Sequence, residues 1–128
     1  MNNFLQRWQR PVDRGALIMS FILIAIVTLL SLFPAEQLPN VQGNDKLHHF
    51  IAYAAVIFPL AIVRKRLALW LSPAIVLYSG LIELLQPFSN RYAEWADFGA
   101  NSLGVVIGLL IGTIMSPYIM QRLPEKWR

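Results

Sequence analysis

The sequence predicts an all-α integral membrane protein, a bundle of four transmembrane helices with its N and C termini in the cytoplasm. Three observations carry that prediction: an excess of apolar residues, their concentration in four long runs, and an uneven placement of lysine and arginine between the runs. The 128 residues are 56% hydrophobic and 14% charged, with a mean hydropathy of +0.51, whereas soluble domains carry about 25% charged residues. One membrane domain, residues 1–128, is expected to use the whole length, which leaves no room for a separate soluble enzyme domain.

The first run, Gly15 to Phe33, contains no charged residue and is long enough to cross a hydrocarbon core of about 30 Å. Arg7, Arg10 and Arg14 precede it, as in a secretory signal. A signal's apolar region is shorter, about 7–15 residues, and Pro34-Ala35-Glu36-Gln37 offers no small-x-small cleavage site, so a retained helix is expected. The second run, Leu47 to Val63, opens on His48 and His49. The third, Leu67 to Gln86, carries one charge, Glu83, and the fourth, Phe98 to about Met120, carries none. Pro59 and Pro73 lie within or near the cytoplasmic ends of the second and third helices and are expected to bend them.

Orientation follows from the cations. Arg7, Arg10 and Arg14, then Arg64, Lys65 and Arg66, then Arg122, Lys126 and Arg128 fall on one side of a four-span arrangement. The other side holds only Lys46 and Arg91, next to Glu36, Asp45, Glu94 and Asp97. The positive-inside rule assigns the basic side to the cytoplasm and the protein to the inner (cytoplasmic) membrane as a multi-pass protein. Trp8, Trp70 and Trp127 fall near the cytoplasmic interface and Trp95 near the opposite one, as in an aromatic belt. The net charge of +4 and pI near 9.9 therefore reflect topology, and nucleic acid is not an expected partner. The absence of cysteine excludes disulfides, thiolate metal sites and a cysteine nucleophile.

The polar residues within the spans gather in one layer. At about 1.5 Å per residue, Glu83 stands some 24 Å along the third helix from Leu67, just below the extracytoplasmic surface. His49 on the second helix and Asn101 on the fourth are each about one turn below that surface. Asp45, His49 and Tyr53 repeat every four residues and share a face; His48 is turned about 100° away from it. Glu83 and Gln86 share a face of the third helix, while Asp97 and Asn101 head the Gly104-x-x-x-Gly108-x-x-x-Gly112 strip of the fourth. That strip is expected to be a packing ridge, which turns Asp97 and Asn101 into the bundle. The cytoplasmic half is expected to be almost purely apolar.

The ordered set Asp45-Lys46-x-x-His49-Phe50-x-x-Tyr53, Glu83-x-x-Gln86, Arg91 and Asp97-x-x-x-Asn101-x-x-Gly104-x-x-x-Gly108 resembles the signature of the VanZ-like family. The resemblance runs from about Asp45 to Gly112, with His49 as the motif histidine and His48 at a variable position. It implies a cell-envelope protein of the kind associated with low-level teicoplanin resistance.

The expected function is to bind or act on an anionic lipid or cell-wall-related ligand, such as a lipid-linked precursor, at the extracytoplasmic leaflet, with an effect on glycopeptide susceptibility. Lys46 and Arg91, the latter on a loop acting as a lid, would meet phosphate. Asp45, His49, Tyr53, Glu83, Gln86, Asp97 and Asn101 would complete the binding layer. Two alternatives stand beside this: a polar cluster that only locks the bundle, and a membrane-embedded hydrolase or transferase. The latter would use His49, Glu83 and Asp97 as acid–base candidates or metal ligands. No cofactor or metal is assigned, because no ligand motif such as H-E-x-x-H is present. A proton path is disfavoured because the polar residues stop in the outer half.

Overall fold

The computed structural model describes residues 10–37 and 45–128. Among these it is all-helical, and four helices are long and apolar enough to cross a membrane. They are α1 (Pro11–Leu32), α2 (Asp45–Val63), α3 (Lys65–Leu85) and α4 (Trp95–Arg122). Short 3₁₀ turns follow α1 at Ala35–Gln37, α3 at Gln86–Ser89 and α4 at Glu125–Trp127.

The helices begin two to four residues before the apolar runs and take polar residues into their first turns. Pro11 opens α1, where its missing N–H costs nothing, and Asp13 sits in the first turn. Asp45 and Asp97 likewise occupy the first turns of α2 and α4. Pro59, Pro73 and Pro117 all lie inside helices, as membrane helices tolerate, and serine hydroxyls bond to carbonyls elsewhere. Ser116 Oγ, for instance, donates to the Ile62 carbonyl in the last turn of α2, a group with no partner inside its own helix.

The chain runs up, down, up, down. Near one end of the bundle Asp13 of α1 approaches Arg64 at the start of α3. Farther along, Thr28 meets Tyr78 through their hydroxyls at 2.6 Å, so α1 and α3 run in the same direction. Gly104, Gly108 and Gly112 of α4 face Phe50, Ala54 and Ala61 of α2, so these two helices are also parallel to each other. Contact is most extensive between α2 and α4, and α2 also packs on α1 and α3. The centre is therefore α2, whose Tyr53, Val56, Ile57, Leu60 and Ala61 are buried beside Ala16, Ala68, Ile82 and Val105.

A Cβ added at Gly108 would lie 2.5 Å from the Ala54 carbonyl oxygen, and one at Gly104 would overlap the Phe50 carbonyl oxygen. Only glycine permits that approach, which is the packing expected of the ridge. The outward faces carry large apolar side chains, among them Phe21, Leu29, Leu77 and Ile114, as lipid contact requires.

Arg10, Arg14, Arg64, Lys65, Arg66, Arg122, Lys126 and Arg128 share one end of this arrangement, together with Trp70 and Trp127. Lys46, Arg91 and Trp95 share the other. Arg7 and Trp8 lie outside the described residues.

The basic end corrects one expectation: it is not purely apolar. Asp13 is fully buried there, held by Arg10 through Nε at 2.9 Å and Nη2 at 2.8 Å, with Arg64 Nη1 at 3.8 Å. A carboxylate withdrawn from water is tolerated when paired in this way. The cluster fastens the start of α1 to the tight connection between α2 and α3.

Candidate functional site

The opposite end is organised around His49. Its Nδ1 lies 3.0 Å from Asn101 Oδ1. An amide oxygen only accepts, so Nδ1 carries the proton and donates. The Asn101 amide in turn donates through Nδ2 to Glu83 Oε1 at 3.5 Å. A chain of polar groups thus crosses from α2 through α4 to α3, and Asn101 and Glu83 are buried within it. Its register comes from the glycine ridge: positions 104 and 108 oppose 50 and 54, and one turn farther Asn101 opposes His49.

The other face of the His49 ring meets carboxylates. Nε2 lies 3.8 Å from Asp97 Oδ2 and 4.0 Å from Asp45 Oδ2. Donor atoms of Asp45, His49 and Asp97 all fall within 4.8 Å of one another. Lys46 Nζ closes the layer from outside, 3.0 Å from Glu94 Oε2 and 3.7 Å from Asp97 Oδ1. His48 is exposed, as its angular offset requires.

Two of the expected residues connect elsewhere. Gln86 Nε2 donates to the Ser31 carbonyl at 3.3 Å, and Arg91 Nη1 to the Leu30 carbonyl at 3.1 Å. Both acceptors lie in the last turn of α1, where carbonyls lack intrahelical partners. Asn90 makes this possible by taking a left-handed conformation, φ 56°, which asparagine tolerates better than most residues. The Arg91 backbone N–H then returns to the Gln86 carbonyl at 3.1 Å. Tyr53 is buried, and no hydrogen bond joins its hydroxyl to the His49 chain.

Several buried polar atoms at this end have no hydrogen-bond partner among the described residues: Glu83 Oε2, Asp97 Oδ1, Gln86 Oε1 and the Tyr53 hydroxyl. Buried polar atoms are paired in the great majority of cases, so their concentration in one layer is unusual. Phe88, Tyr92 and Trp95, all highly exposed, lie in or beside the connection between α3 and α4 at the same end. Aromatic residues with this exposure suit the headgroup region of a bilayer.

Sequence reasoning missed Glu94 as the partner of Lys46 and Asp13 as a buried carboxylate. Asp13 had one signal, its place two residues after a helix-opening proline. Its burial depends on Arg64, far away in sequence.

Four apolar helices and a polar layer at one end define a multi-pass helical membrane protein with a buried histidine–amide–carboxylate chain. A family model for VanZ/LLP1 matches residues 3–116, and the chain belongs to the VanZ/LLP1 family. No curated protein and no solved structure matches it.

Proposed function

We propose that this member of the VanZ/LLP1 family binds the polar head of an anionic lipid or lipid-linked cell-wall precursor at the extracytoplasmic leaflet. The basic end then faces the cytoplasm, in keeping with the positive-inside rule, and the protein lies in the inner membrane. The supporting observation is a set of buried acceptors and a hydroxyl near His49 with no hydrogen-bond partner among the described residues: Glu83 Oε2, Asp97 Oδ1 and the Tyr53 hydroxyl. A polar headgroup supplies hydroxyls and amides to such atoms, and Lys46 supplies a cation at the rim. Arg91, partly exposed beside the end of α1, retains further N–H groups for phosphate.

The same chain of bonds favours a second reading, in which His49, Asn101 and Glu83 only pin three helices together. Glue of this kind would close its own hydrogen bonds, and here several remain open. The two readings part on one experiment. Native mass spectrometry of detergent-purified protein with phosphatidylglycerol and with a lipid-linked precursor should show adducts that weaken about tenfold in Lys46→Ala/Arg91→Ala, a cost of about 1.4 kcal/mol. Adducts of unchanged strength in a monodisperse double variant would leave the locking role. Glycopeptide susceptibility of cells carrying either form gives the in vivo counterpart.

A further inference from the structure

We infer that Asp45, His49 and Asp97 form a binding site for one divalent cation of the zinc–manganese class. The inference stands on these three residues and their supports, independently of the headgroup proposed above.

The starting point is the tautomer of His49. Donation from Nδ1 to Asn101 Oδ1 at 3.0 Å leaves the lone pair of the neutral ring on Nε2. That lone pair faces two carboxylate oxygens, at 3.8 Å and 4.0 Å. With the ring neutral, three electron-rich atoms converge here. A cation among them converts mutual repulsion into coordination.

The dimensions fit. Tetrahedral zinc holds nitrogen and oxygen at about 2.0–2.2 Å, which separates adjacent ligands by roughly 3.4 Å. The spacings from His49 exceed that by about half an ångström, and the three donor atoms lie within 4.8 Å of one another; rotation of the exposed Asp45 carboxyl brings them closer. Two carboxylates and a neutral imidazole also neutralise a divalent charge, and nitrogen with oxygen donors suits zinc or manganese rather than softer ions.

Two further features point to a ligand. The Asp97 side chain is only 6% exposed, and its Oδ1 has no hydrogen-bond partner among the described residues. A buried carboxylate is costly, and this one has a long ion pair from Oδ1 to Lys46 at 3.7 Å while its Oδ2 turns to the His49 ring at 3.8 Å. The second feature is the support behind the ring. Metal-bound histidines generally donate their other N–H to a fixed acceptor, which orients them. Asn101 supplies that acceptor and is itself held by Glu83.

The cation also removes a difficulty. Asp45, Glu94 and Asp97 place three carboxylates beside the Lys46 ammonium, a local balance that disfavours phosphate next to His49. A bound divalent ion reverses the balance and leaves coordination positions that a phosphate oxygen or water can take.

The test uses the purified full-length protein, stripped with EDTA, titrated with Zn²⁺ and separately with Mn²⁺, and analysed by mass spectrometry after gel filtration, with no added lipid. Retention of about one equivalent of either ion is expected. Asp45→Asn and His49→Gln should each lower affinity by about tenfold or more, and Asn101→Leu by roughly 10–100-fold through loss of ring orientation. Glu125→Gln, at the other end of the bundle, should leave it unchanged. X-ray absorption on the loaded protein should show a nitrogen and oxygen shell. Retention of under about a tenth of an equivalent overturns the site. So does wild-type affinity in a monodisperse Asp45→Asn protein, whose exposed side chain is dispensable for packing. Since no lipid is present, failure here is distinct from failure of the headgroup reading.

Discussion

Gly108 of α4 lies against Ala54 of α2 so closely that a Cβ at position 108 would stand 2.5 Å from the Ala54 carbonyl oxygen and 2.8 Å from its Cα. Both obstacles are backbone, so relief requires moving a helix. The same contact fixes the axial register of α2 and α4, and with it the pairing of His49 with Asn101 two turns away. Packing and site geometry are therefore one property of this helix pair.

That coupling predicts a sharp contrast between glycines. Gly108→Ala should destabilise by about 1–3 kcal/mol, the usual cost of overpacking, and should also weaken whatever the His49 layer binds. Gly99→Ala, on the same helix with open space around its Cβ position, should be neutral or stabilising by up to about 1 kcal/mol, since alanine is the better helix former. Thermal unfolding of both variants in detergent checks this. Equal midpoints would show that the ridge does not set the α2–α4 distance.

Asn101 offers a second measurement. Asn101→Leu removes the acceptor of His49 Nδ1 and the donor to Glu83 Oε1 together, and Glu83 Oε2 is already without a partner. The expected loss is about 1–3 kcal/mol, the cost of leaving buried polar groups unpaired. Adding Glu83→Leu should recover part of it, because the stranded carboxyl disappears. A double-mutant cycle reads the coupling, and strictly additive losses would mean that Asn101 and Glu83 do not interact.

How much of this could be read from the sequence depends on the range of the interaction. The spans were legible because a bilayer imposes length and apolarity on each helix separately. His49 was separable from His48 because a helix turns by about 100° per residue, and the glycine strip turned Asp97 and Asn101 inward for the same local reason. The partners of Gln86 and Arg91 were not legible. Their bonds end on the Ser31 and Leu30 carbonyls, backbone groups that carry no signature of their own. Asp13 was hidden similarly: next to Pro11 it looks like an ordinary helix-start residue, and its enclosure needs Arg64 from another helix.

Membrane orientation is open to a direct chemical test, because the chain contains no cysteine. Tyr92→Cys, on the exposed loop before α4, and Lys65→Cys, at the opposite end of α3, each introduce a unique thiol. In intact spheroplasts a membrane-impermeant maleimide should label position 92 and should reach position 65 only after permeabilisation. The reverse pattern would place the His49 layer at the cytoplasmic face and exclude an outer-leaflet ligand.

The Asp13 cluster predicts an asymmetry that charge counting alone would not. Asp13 is 0% exposed while the Arg10 side chain is 40% exposed. Removing the carboxyl with Asp13→Asn leaves Arg10 free to turn into water, so the loss should be modest, about 1 kcal/mol. Removing the cation with Arg10→Ala leaves Asp13 buried, with the Arg64 guanidinium 3.8 Å away. The expected loss is then larger, about 3 kcal/mol, as for other buried charges stripped of a partner. The double variant Arg10→Ala/Asp13→Asn should be more stable than Arg10→Ala alone, since it no longer buries a charge. Chemical unfolding of the three variants in one detergent provides the comparison, and a double variant less stable than either single one would show that the cluster acts through packing and not through charge.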